Sequence, residues 1–125
     1  MTILTIIGII LTAISVWQRC ASPAAVLRRI KRGIGREVLH GMVEDGVEMS
    51  GQPHLLAEAV MARKDSEIYK FAEEVMNSLP PLDGASDGVK MEAATDSFWD
   101  HARSELTIER VRAMMAEAEG LGMKP

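Results

Sequence analysis

A chain of 125 residues has room for one small domain, or for an anchor and a smaller body. With aromatics at 4% against nine methionines, any core must be aliphatic and adaptable, and a single cysteine excludes an internal disulfide. The net charge of −4 conceals two halves of opposite sign. Met1 to Val43 carries six basic residues against Glu37 alone, whereas Glu44 to Pro125 carries eight basic and seventeen acidic residues, so +5 faces −9. Such asymmetry points to two kinds of partner.

The opening run, MTILTIIGIILTAISVWQRC, has no charge and no proline from Thr2 to Trp17. As a helix these residues would extend about 24 Å, somewhat short of a bilayer core of about 30 Å. Apolar residues lie all round it, Trp17 closes it where an indole favours headgroups, and Arg19 follows with a stem able to snorkel. The pattern predicts a transmembrane anchor over 1–18. A buried core rod is the competing reading, and it would need most of the remaining chain to wrap it. No basic residue precedes the run, which favours an uncleaved anchor over a cleaved signal. The basic residues behind it place the carboxyl side in the cytoplasm and the amino terminus outside. Thr2, Thr5, Gly8, Thr12 and Ser15 share one helical face. Small and hydroxyl residues on one stripe suit docking against another membrane helix, although each hydroxyl can instead bond its own backbone.

Over 19–43 the chain predicts a basic amphipathic helix lying beside the membrane. Ser22-Pro23 is a helix start, and Val26, Leu27, Ile30, Ile34, Val38 and Met42 recur about every four residues. Arg19, Arg28, Arg29, Lys31, Arg32 and Arg36 supply charge for anionic lipid and for topology. Nucleic acid is disfavoured, since no aromatics interleave with the charges and the acidic body would repel a polyanion.

The acidic segment 44–125 reads as helical hairpins. EDGVEMSGQP is a loop; His54 to Leu79 is helical, as one helix or as two divided at ARKDS; PPLDGASDG is a linker. A helix over Ala94 to Glu105 buries Phe98, Trp99 and Ala102, and another begins at Thr107 and ends on a Gly120–Leu121 cap. That last helix offers Ile108, Val111, Met114, Met115 and Ala118 to a partner. No stretch alternates with period two, so the fold class is all-α.

Chemistry is hard to find. Asp83, Asp87 and Gly88 echo a calcium loop, but Ala94 stands where a glutamate is needed. Asp100, His101 and Glu105 bring three potential ligands onto one helix, a pattern far more often solvated than metal-bound. GIGR lacks the strand that precedes a phosphate loop, and Cys20, His40 and His54 are scattered. The sequence therefore predicts no catalytic, cofactor or metal site. The expected role is a non-catalytic, single-pass accessory or structural subunit of a membrane assembly. Its partners would be the bilayer and other membrane subunits, or further copies of itself. The alternative is a membrane-active or structural protein of a phage or virus.

Overall fold

Thr2 starts the first helix: its Oγ1 accepts the Thr5 N–H at 3.4 Å, and α1 then runs from Ile3 to Trp17. A computed structural model describes residues 2–46 and 52–123, all of whose regular elements are helical. After a 3-10 turn at Gln18–Cys20 come α2 (Pro23–Lys31), α3 (Arg36–Glu44), α4 (Gln52–Met61), α5 (Glu67–Ser78), α6 (Asp87–Glu105) and α7 (Ile108–Gly120). Hydroxyl caps start most of them. Ser22, Ser66, Ser86 and Thr107 each accept the N–H three residues on, which satisfies a donor the helix cannot pair internally.

The centre of the molecule is α1. It packs against α3, α4, α5, α6 and α7, most extensively against α4 and α5. Ile6, Ile7, Ile9, Ile10, Leu11 and Ile14 are wholly enclosed. An uncharged helix has no face that prefers water, so every neighbour can turn an apolar stripe toward it. Those stripes are Leu39 and Val43 on α3, Ala57 and Val60 on α4, Ile68, Phe71, Ala72 and Val75 on α5, Phe98 and Ala102 on α6, and Val111, Met114 and Ala118 on α7, all in one core cluster. Segments 1–18, 19–43 and 44–125 thus contribute to one core. By length and composition Ile3–Cys20 is also sufficient to cross a membrane.

The neck departs from the single helix expected of it. Gly33 (φ +74°) and Gly35 (φ +98°) break it into α2 and α3. Gly33 N–H bonds the Ile30 carbonyl at 2.9 Å and Ile34 N–H the Arg29 carbonyl at 2.8 Å, a paired C-terminal cap that needs a left-handed residue. The break rotates the register. Val26 and Ile30 are buried as expected, but on α3 the interior positions are Leu39 and Val43, while Ile34 and Val38 are 48% and 50% exposed. Gly35 also lies where Trp99 comes close, within 3.7 Å of an added Cβ. The Trp99 ring is buried and its Nε1 lacks a hydrogen-bond partner, at a cost of about 1–3 kcal/mol.

Elsewhere the differences are local. ARKDS does divide α4 from α5. The helix expected from Ala94 begins at Asp87, because Ser86 inside the expected linker serves as its cap. Helix α7 closes one turn-step later than Gly120: Gly122 takes the left-handed position (φ +100°), and Met123 bonds back to Ala118 and is buried.

Candidate interaction surface

The expected docking stripe on α1 is divided between interior and surface. Gly8 and Thr12 are buried and Thr2 is exposed. Thr5 and Ser15 are half-buried. Thr12 Oγ1 donates to the Gly8 carbonyl at 2.8 Å, so this hydroxyl satisfies its own helix. No atom of another element lies within 4 Å of a Cβ built on Gly8, so no neighbouring backbone requires a glycine there. The α7 face is internal. Val111, Met114 and Ala118 are fully buried and Met115 packs against the same core; only Ile108 is exposed, at 36%. A 3.6-residue period marks a face that must be covered, and here α7 packs against α2, α5 and α1.

The six neck cations divide by what they meet. Arg36 Nη2 donates to Asp96 Oδ1 at 2.6 Å, and His40 Nε2 lies 2.9 Å from the same oxygen, which ties α3 to α6. Burial pushes the Asp96 carboxyl up, but the Arg36 hydrogen bond and the charges of His40 and Arg36 outweigh it and hold it below the usual aspartate value. Hydrogen bonding to Asp96 raises Arg36 in turn. Lys31 Nζ donates to the Arg103 carbonyl. Arg19, Arg28, Arg29 and Arg32 are exposed, with no ion-pair partner among the described residues.

Two of those arginines, Arg19 and Arg29, border an apolar cleft of about 180 Å³ at the end of α1, lined also by Val16, Trp17, Cys20, Ile34 and Val38. The Gly33–Gly35 turn creates it. Without the break, Ile34 and Val38 would have continued the buried stripe of α2. Among the described residues of the +5 half, Ile34 and Val38 are the exposed large hydrophobic side chains. Helical periodicity identified these residues as one apolar face, but only the turn geometry shows which of them remain outside.

A second charged cluster lies on the opposite charge half and is structural. Arg110 Nη2 meets Glu74 Oε2 at 2.6 Å, its Nε pairs with Glu67, and its guanidinium lies 5.1 Å from the Phe71 ring centroid. His101 Nε2 is 2.9 Å from Glu74 Oε1. The Arg110 hydrogen bond lowers Glu74, and burial opposes it. Glu117 accepts the N–H groups of Glu67 and Ile68 at 2.7 and 3.1 Å, capping α5 from α7. These contacts span 27 to 50 residues, so no local pattern announces them.

A depression of about 480 Å³ contains Ser78, Asp96, Ser97, Asp100, His101 and Ser104. Nucleophile and base are not paired there. Ser78 and Ser97 bond each other at 3.1 Å, Ser104 donates to the His101 carbonyl, and the His101 ring nitrogen is on Glu74 rather than Glu105. Among the described residues no group of three or more His, Cys, Asp or Glu side chains is placed to hold a metal ion. No protein-family model, curated protein or solved structure matches the chain.

Proposed function

We propose that the chain is a non-catalytic accessory subunit of a membrane-associated assembly, attached to an anionic surface by the α2–α3 corner. The observation that carries this reading is the combination of half-exposed Ile34 and Val38 with Arg19 and Arg29 at the rim of one cleft, while Arg28 and Arg32 are exposed nearby in sequence. Each arginine near an anionic leaflet contributes about 1 kcal/mol, and the two aliphatic side chains add apolar burial at the acyl boundary. Attachment of this kind is reversible and weakens with salt. Flotation of the full chain with anionic and neutral vesicles tests it. Binding to anionic vesicles, lost in high salt and reduced by replacing Arg28, Arg29 and Arg32 with Gln, is expected. Equal binding to neutral vesicles would overturn the reading.

A second reading is supported by the length and apolar character of Ile3–Cys20. In it α1 crosses the bilayer with the amino terminus outside and the acidic body in the cytoplasm, as in a single-pass subunit or a membrane-active phage or viral protein. The apolar faces of α5, α6 and α7 then lose the helix they enclose, including Phe71 and Phe98. Alkaline carbonate separates the two: a spanning α1 stays in the membrane pellet, whereas a chain attached by its corner is released.

A further inference from the structure

On the other flank of α3 a depression of about 570 Å³ runs along the start of α6. Its apolar lining includes Val43, Val89 and Met91, with Val89 51% exposed, and its charged lining is Glu44, Asp87 and Glu92. His40 reaches it as well, but its Nε2 is engaged with Asp96. Like the basic corner it places an exposed aliphatic side chain, Val89, beside charged ones, and the charge has the opposite sign.

We propose that this acidic depression receives the basic corner of a second copy, joining chains head to tail in solution. The proposal rests on the corner being the attachment face. Complementarity is the argument for a second copy. Ile34 and Val38 with Arg19 and Arg29 meet Val89 and Met91 with Glu44, Asp87 and Glu92, so apolar surface covers apolar surface and charge covers opposite charge. Val38 and Glu44 are six residues apart on one helix, about 240° round its axis at 100° per residue, so the patches occupy different flanks. One patch meeting a different patch on the next copy is a heterologous contact, which extends beyond two subunits unless the rotation closes a ring. An anionic bilayer engages the same corner, so membrane attachment and self-association compete.

The test uses the full chain and two neutral variants at exposed positions. Val89→Gln with Glu92→Gln disables the depression, and Ile34→Gln with Arg29→Gln disables the corner. In low salt the average mass of the unaltered chain, by sedimentation velocity, rises past that of a dimer with concentration and falls back in high salt. Each variant alone remains monomeric, at least tenfold weaker in association, and an equimolar mixture yields 1:1 pairs and nothing longer. A chain that stays monomeric at every concentration, a mass that stops at two, or either variant associating like the unaltered chain would overturn the proposal. Vesicle binding separates it from the attachment reading. The depression variant floats with anionic vesicles as the unaltered chain does, whereas the corner variant does not. A corner variant that still floats while losing self-association overturns membrane attachment and leaves head-to-tail pairing in place.

Discussion

Helix α1 and the corner between α2 and α3 are both apolar helical stretches near the amino terminus, and they end in opposite environments. Ile10 is fully enclosed while Ile34 is 48% exposed. An apolar stripe recurring every 3.6 residues is buried as a unit only if the helix continues straight, and the two left-handed glycines at 33 and 35 stop it from doing so. Five other helices can surround α1 because it is apolar on all sides. On α3, Leu39 and Val43 satisfy the core and leave Ile34 and Val38 outside.

The largest effect that tests this contrast is truncation. Ile10→Ala removes wholly buried methylenes from the most enclosed part of the core and should cost about 2–5 kcal/mol in urea unfolding. Ile34→Ala should change stability by no more than about 0.5 kcal/mol. A small effect at Ile10 would mean that α1 is not packed inside this domain in solution, and would favour the spanning reading.

Glycines give the next test, with opposite signs. A Cβ on Gly8 meets nothing within 4 Å and its backbone is helical, so Gly8→Ala should stabilise by about 1 kcal/mol, the helix-propensity difference. Gly35→Ala places a side chain at φ +98° and should destabilise by about 1 kcal/mol or more, even though the nearest atom, on Trp99, is an ordinary contact away. Thermal unfolding of both variants decides it. A loss at Gly8 would revive the docking stripe, because only a close helix neighbour would exclude a methyl group there.

Much of the helical content was legible because its signals are local. Thr107 began α7 as expected, and Phe98, Trp99 and Ala102 were identified as interior from their spacing. What local pattern cannot convey is the identity of the cover. The stripe on α7 suits a partner on sequence grounds because the sequence does not say that α2, α5 and α1 lie against that helix. Gly33 and Gly35 act as a turn that fixes which aliphatic residues stay outside, and an apolar recurrence about every four residues does not show it. The clamp at Asp96 joins residues 56 and 60 positions apart, and at such separations charge pairing leaves no periodic trace.

The smallest predicted effect concerns that clamp, which ties α3 to α6. The Asp96 carboxyl titrates below its ordinary value in the fold, held there by Arg36 and His40 against the opposing effect of burial. A depressed carboxyl stabilises the fold above its unfolded value of about 3.9, and that contribution fades as pH falls through the lower folded value. Arg36 is raised and stays charged throughout this range. With side chains 39% and 38% exposed, the pair is screened by water, and its contribution is roughly 0.5 kcal/mol at neutral pH. Asp96→Asn should therefore lower the unfolding temperature by about 2 °C near pH 7. The gap should narrow steadily below pH 4 as the unaltered chain loses its own charge. Glu74 is depressed by Arg110 and remains in both proteins, so its contribution to the acid limb cancels in the difference. A gap that stays constant from pH 7 to pH 3 would show that the asparagine acts through packing, and that the tie between α3 and α6 does not depend on this charge.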